Sequence, residues 1–203
     1  MNQEIERKFA VRYLPENIKV ERIEKIEQIF IYKDIKTIIR IRKIEENNKL
    51  YYIYTLKTKS GIQQDKTGKQ SNLYEIENEI TKEEYEELKQ KKISNIINKI
   101  RMVIPIQSNL KVEIDIYEGC LQGFLTAEVE FPNEEASNMF VKPDWLGEEL
   151  GYKEFSNQKL AKMTKEEFEK KVPEEIRRQN QIIINQLLNF LRWFWGRRKK
   201  SSQ

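Results

Sequence analysis

Histidine is absent from this 203-residue chain, and cysteine occurs once, as Cys120. The first absence excludes Ser-His-Asp and Cys-His nucleophile systems, histidine-ligated zinc and imidazole acid–base chemistry. The second excludes an intrachain disulfide framework and points to a reducing compartment, with Cys120 as a small buried thiol. No apolar run approaches the length of a membrane span, and the opening Met-Asn-Gln-Glu lacks the basic and apolar regions of a secretory leader. The expectation is a cytoplasmic protein whose chemistry runs on carboxylates, Lys, Arg, Tyr and metal.

What is abundant is charge. Asp, Glu, Lys and Arg make up 34% of residues, yet the formal net charge is only +4, so opposite charges face one another instead of forming one field. From Pro173 onward there are seven basic and two acidic residues, a net +5, which leaves −1 for residues 1–172. The basic excess belongs to the tail. The chain length suits one domain, here residues 1–172, followed by an appendage over 173–203.

Residues 4–11, 27–34, 36–44, 50–59, 73–80, 110–118 and 123–131 alternate with period two and are rich in Ile, Val, Tyr, Phe, Leu and Thr, predicting seven or eight strands. Segments 15–26, 81–92 and 93–100 read as helices, with Thr81 as an N-cap, and a further helical piece follows at Glu134–Phe140, before a turn containing Trp145. The polar stretches Glu45–Lys49 and Ser60–Asn72, the latter with Gly61 and Gly68, suit hairpin connections.

In a strand, residues two apart share a face. Glu4, Glu6 and Lys8 therefore lie together, as do Arg40 and Arg42; Glu75, Glu77 and Glu79; Glu113 and Asp115; and Glu128 and Glu130. Between them stand Ile39 and Ile41, Val112, Ile114 and Ile116, and Ala127, Val129 and Phe131. The simplest reading of any one doublet is a solvated outer face. Here, however, acidic doublets occupy some strands and basic doublets others. If amphipathic helices cover the apolar face of a sheet that closes, the charges line the interior. Such an interior must be wet and must complement a charged ligand, because unpaired ions in a dry one are costly. Metal-bound polyphosphate fits: Arg and Lys hold phosphoryl oxygens, and carboxylates hold Mg²⁺ or Mn²⁺.

The segment Glu4-Ile5-Glu6-Arg7-Lys8 resembles the ExExK signature of the CYTH, or triphosphate tunnel metalloenzyme, superfamily. In family order follow Arg40-x-Arg42, Thr55-Leu56-Lys57, Glu75-x-Glu77, Lys99-x-Arg101, Glu113-x-Asp115, Glu128-x-Glu130, Gly151-Tyr152 and Phe155-Ser156-Asn157. The resemblance covers residues 2–163. It implies an α+β fold with an eight-stranded antiparallel closed β-barrel, a tunnel with helices packed on its outside, followed here by a C-terminal amphipathic helix. It implies Lys8, Arg40, Arg42, Lys57 and Arg101 as phosphate ligands, with Glu75 and Glu77 beside them. Glu4, Glu6, Glu128, Glu130, Asp115 and Glu113 are implied as metal and water ligands, and Glu4, Glu6, Lys99 and Glu130 as the catalytic group. Phe30 stands where some bacterial members carry a tyrosine that pairs with a lysine like Lys99. Tyr32 shares that strand face and is the candidate substitute, with aromatic packing as its simpler role. Leu73 and Tyr74 stand where many members have a basic residue before the Glu75-x-Glu77 doublet.

Members of this superfamily hydrolyse tripolyphosphate or thiamine triphosphate, cyclise ATP, or remove RNA 5′ γ-phosphate. The expectation is hydrolysis of inorganic tripolyphosphate, with nucleoside triphosphates slower. A class IV-type adenylyl cyclase, a thiamine triphosphatase and a non-catalytic polyphosphate- or nucleotide-binding module are the alternatives. An organic head group would need aromatic or hydrogen-bonding residues at a tunnel mouth, and Tyr51, Tyr52 and Tyr54 are candidates. The expected partner is a small triphosphate, not nucleic acid. In the tail, Ile176, Ile183, Ile184, Leu187, Leu188, Phe190, Leu191, Phe194 and Trp195 form one helical stripe. That stripe must dock on the barrel, self-associate, or lie at a membrane surface, for which Trp193–Trp195 and the basic Arg197–Lys200 are suited.

Overall fold

The computed structural model describes the backbone of residues 2–59 and 70–200, and side chains over 5–58, 74–107, 109–151 and 154–192. Most of the Ser60–Asn72 connection, the side chain of Glu4 and the side chains of the Trp193–Lys200 cluster lie outside the described residues.

Nine strands form one antiparallel sheet: β1 (Asn2–Val11), β2 (Arg22–Lys33), β3 (Thr37–Glu46), β4 (Lys49–Lys59), β5 (Gln70–Glu79), β6 (Ile97–Pro105), β7 (Lys111–Tyr117), β8 (Leu125–Phe131) and β9 (Leu146–Glu149). Their order is β5-β4-β3-β2-β6-β7-β8-β1-β9, and β1 pairs in addition with β5, Asn2 opposite Glu75 and Arg7 opposite Gln70. The helices are α1 (Lys82–Lys89), α2 (Glu134–Met139), α3 (Tyr152–Phe155), α4 (Asn157–Leu160), α5 (Lys165–Lys171) and α6 (Glu174–Lys200). The α+β class and the single antiparallel sheet are as expected. The strand number is nine, not eight, because the stretch after Trp145 extends along β1 as β9.

Two predicted helices are strands. Residues 93–100 place Ile93, Ile96, Ile97 and Ile100 at helical spacing, but β6 is buried on both faces from Lys99 to Ile104, so its apolar residues need not alternate. Residues 15–26 hold Arg22–Ile26, which pair with β6, Lys25 and Ile26 pairing with β3 as well.

Local chemistry fixes the connections. Asp34 Oδ1 accepts from the Lys36 and Thr37 amides at 2.7 and 2.6 Å, turning β2 into β3. Asn47 and Asn48 both take positive φ, 51° and 63°, as a two-residue type I′ hairpin requires. Thr81 and Thr164 begin α1 and α5 with capping boxes, closed by Glu84 and Glu167.

The apolar core lies on the sheet face opposite the charge doublets. Ile5, Phe9, Val112, Ile114, Ala127 and Val129 pack there against Ile183, Ile184, Leu187 and Leu191 of α6. Asn180 Nδ2 donates to Gly123 O at 3.1 Å and pins the same helix near its start. Of the outcomes open to the tail stripe, these residues take docking on their own sheet, while Ile176 stays half exposed. Among the described residues, no helix is long and apolar enough to cross a membrane. On another part of the sheet, α1 buries Tyr85 against Ile29 and Ile41.

Candidate active site

On the face turned away from that core, β1 carries Glu6 and Lys8. The ladder to β8 sets Glu6 opposite Glu130 and Lys8 opposite Glu128, and β7 sets Glu113 opposite Glu128. β6 brings Arg101 opposite Asp115. Arg40 and Arg42 of β3, Lys57 of β4, and Glu75 and Glu77 of β5 join them. Except for Asp115, all of these line one cavity of about 990 Å³.

Arg101 is the hub of the β6–β8 wall. Its Nε and Nη2 donate to Asp115 Oδ1 and Oδ2 at 2.7 and 2.8 Å, its Nη2 also to Glu128 Oε2 at 2.8 Å, and its Nη1 to Glu113. Lys99 Nζ holds the same Asp115 at 2.5 Å. Lys8 Nζ sits 2.7 Å from Glu128 Oε1 and donates to Phe155 O at 2.9 Å, tying β1 to α3. On the opposite wall Arg40 reaches Glu75 at 2.9 Å, Arg42 reaches Glu77, Lys57 reaches Glu75 at 3.2 Å, and Thr55 donates to Glu77 at 2.8 Å. Glu75 and Glu77 thus act as struts that hold the cations in place.

These environments move the proton equilibria. Burial alone would push the Glu128 carboxyl up, but Lys8, Arg101 and Lys99 override it and hold it well below the usual range. Burial would likewise pull the Lys8 ammonium down, and Glu128 above all reverses that, raising it above the ordinary lysine range. Lys99 goes the other way: burial and the adjacent Arg101 lower it to about 8, against the pull of Asp115. Arg42 falls to about 10 through burial and its neighbour Arg40. Fixed cations therefore coexist with carboxylates that stay ionised, a surface able to receive a polyanion and a metal together.

The predicted residues are brought together with two differences of depth. Lys99 and Asp115 form a buried pair behind Arg101 and do not line the cavity. Glu4 lies on β1 opposite Leu73 of β5, with its side chain outside the described residues. Tyr32 is turned away: a register shift follows Phe30, and the Tyr32 hydroxyl donates to Asp34 on the exposed edge. Of the three tyrosines of β4, Tyr51 lines the cavity, while Tyr52 and Tyr54 pack toward α1.

Arg22 and Glu24 were missed. They line the cavity, with Arg22 Nε 2.6 Å from Glu24 Oε1 and Glu24 opposite Arg101. Their signal was present as another i, i+2 charge doublet, hidden by reading 15–26 as a helix. Glu46, Gln158 and the Ser156–Asn157 turn also line it.

No protein-family model matches the chain. It is 28% identical over 159 residues, 78% of this chain and 96% of the relative, to the inorganic triphosphatase of Nitrosomonas europaea. The crystal structure of the inorganic triphosphatase NE1496 superposes with a TM-score of 0.51 at 27% identity, covering 79% of this chain and 95% of that one. In sequence and in fold the chain is thus similar to an inorganic triphosphatase. A Pyrococcus furiosus protein of 22% identity shares the fold, with a TM-score of 0.50 over 70% of this chain and 94% of that one.

Triphosphatases of the CYTH superfamily are generally metal-dependent. Among the described residues, no three carboxylates form a ready-made metal cage. The donor set nevertheless fits a hard cation: Glu6 faces Glu130 and Glu113 faces Glu128, four carboxylates on three neighbouring strands. Oxygen-only donors of this kind suit Mg²⁺ or Mn²⁺ rather than softer metals.

Proposed function

We propose that the chain hydrolyses a phosphoanhydride bond of small triphosphates, inorganic tripolyphosphate foremost and nucleoside triphosphates more slowly, with Mg²⁺ or Mn²⁺. The observation that carries this reading is the convergence of Lys8, Arg40, Arg42, Lys57 and Arg101 on one cavity that Glu6, Glu113, Glu128 and Glu130 also line. The relative named an inorganic triphosphatase supports the choice of substrate. We infer that the sheet wraps into a tunnel, since β1 pairs with β8 along one edge and with β5 and β9 along the other.

Lys8 and Lys57 act as point charges and Arg40, Arg42 and Arg101 as planar forks on the phosphoryl oxygens. Glu75 and Glu77 keep the forks of β3 aimed, so little ordering is needed when substrate enters. Asp115, clamped by Lys99, fixes Arg101; Lys99 acts through that clamp. Glu4, Glu6, Glu128 and Glu130, with Glu113 beside them, would hold the metal, which offsets phosphate charge and lowers the pKa of an attacking water. With the anhydride held and its charge offset, little covalent work is left for side chains. A cytoplasmic location and a small-molecule partner, without nucleic acid, complete the proposal; residues 174–200 dock on the sheet up to Leu191, and contact with a membrane or a second copy would fall to the residues beyond.

Phosphate release from tripolyphosphate, ATP and thiamine triphosphate with Mg²⁺ or Mn²⁺, alongside an assay for cyclic nucleotide, tests the reading. Fastest release from tripolyphosphate is expected. Cyclic nucleotide as the main product, or tight binding without release, would overturn it.

A further inference from the structure

The turn between α3 and α4 brings Ser156, Asn157 and Gln158 to the cavity wall, and it does so at a definite end. Phe155 O accepts from Lys8 Nζ at 2.9 Å. Leu160 packs in one cluster with Phe30, Ile38 and Tyr117, and Phe155 rests against it. Ile38 in turn lies opposite Lys57 across the β3–β4 ladder. Lys8, Lys57 and the turn therefore share that end of the cavity, where Phe30 and Ile38 supply only apolar lining.

Asn157 differs from its neighbours in how it is held. Tyr117, 1% exposed, donates its hydroxyl to Asn157 Oδ1 at 2.7 Å. With the oxygen fixed on Tyr117, the amide nitrogen is the free end of the side chain. Asn157 is half-buried, and its Nδ2 donates to no described residue yet is not sealed from solvent. Glu128, the carboxylate beside Lys8, already receives Lys8 on one oxygen and Arg101 on the other. An open N–H on a cavity wall shared with two ammonium groups suits an oxyanion from outside the chain, and a donor of this kind does not bind a metal.

We propose that Asn157 is a substrate-binding residue whose amide donates to a phosphoryl oxygen at the Lys8–Lys57 end of the cavity, with Tyr117 as the residue that positions it. This rests on the triphosphatase reading above. Lys8 and Lys57 attract the anion from any direction, whereas an amide held by Tyr117 meets it along one line.

Asn157→Asp keeps the shape and the acceptor for Tyr117 while replacing the donor with a charge that repels phosphate. Asn157→Ala removes the donor without adding charge. Tripolyphosphate binding by calorimetry, phosphate release with Mg²⁺ and thermal unfolding are measured for both variants and for the parent chain. Asn157→Ala is expected to weaken affinity about tenfold, with KM raised more than kcat is lowered, and Asn157→Asp to weaken it further at a level Tm. Tyr117→Phe is expected to weaken binding in the parent chain but to add nothing to Asn157→Ala, because it acts through that side chain. Parent-like affinity in either folded Asn157 variant would overturn the assignment while leaving the triphosphatase reading intact. A fall in Tm that accompanies the loss of binding in Asn157→Asp would overturn it too, by making Asn157 a structural residue. Additive losses from Tyr117→Phe and Asn157→Ala would overturn the positioning role of Tyr117. A parent chain that neither binds nor cleaves tripolyphosphate would remove the triphosphatase reading, and this contact with it.

Discussion

Glu6 on β1 faces Glu130 on β8 across the ladder, two carboxylates in direct cross-strand register. Like charges so placed repel, and a divalent cation held between them, as proposed above, would offset that repulsion. Glu6→Gln or Glu130→Gln is expected to remove most tripolyphosphate turnover while Tm stays level or rises. Phosphate release and thermal unfolding, run on the same preparations, check both halves; parallel loss of activity and stability would mark these residues as structural.

Metal removal gives the complementary test. With excess chelator, turnover is expected to disappear and to return on adding Mg²⁺ or Mn²⁺, because the acidic wall would otherwise repel the polyanion. Undiminished release in chelator would refute the metal requirement.

Arg40→Ala is expected to weaken tripolyphosphate binding by about 1.5–3 kcal/mol, the usual contribution of a charge-assisted hydrogen bond. Calorimetry at fixed salt reads this directly. An unchanged affinity would mean that Arg40 serves Glu75 alone.

Glu128 sets the acid limb of stability. Its folded pKa lies below its unfolded value, held there by Lys8, Arg101 and Lys99 against burial. The unfolded chain therefore binds more protons between the two values, and stability drops as pH falls below about 4.5 toward the folded pKa. Urea midpoints from pH 7 to 3 should show that decline, and Glu128→Gln should make it shallower from a lower starting point. Identical slopes would exclude Glu128 as its source.

Leu187 of α6 is fully buried in the sheet's core. Leu187→Ala should cost about 2–5 kcal/mol of unfolding free energy, read from urea denaturation. A change below about 0.5 kcal/mol would show that α6 is loosely held.

The charge doublets were legible because a strand's two-residue period sorts side chains by face whatever the topology. Arg40 with Arg42, and Glu128 with Glu130, reach one cavity as that period implies. What failed was segments where period two breaks down. β6 is buried on both faces, so Ile97 and Ile100 mimic a helix, and the opening of β2 carried Arg22 and Glu24 into a false helix with Ile18, Ile23 and Ile26. Depth was also illegible: sequence places Asp115 beside Glu113, and only the strand register puts Asp115 behind Arg101. The stripe on α6 was visible, but its partner could be known only from the sheet face it covers.

The strand that bears Glu6 and Lys8 finds most of its neighbours late in the chain. Arg7 bonds Glu149 across 142 residues of sequence, and Lys8 lies opposite Glu128. Closing such long loops is slow relative to forming hairpins like β3–β4. The β2–β3–β4 meander can assemble as the chain emerges, whereas β1 must wait for β8 and β9. Substrate binding thus becomes available only in the last stage of folding, and a kinetic intermediate holding the Arg40 and Arg42 wall would lack the acidic one.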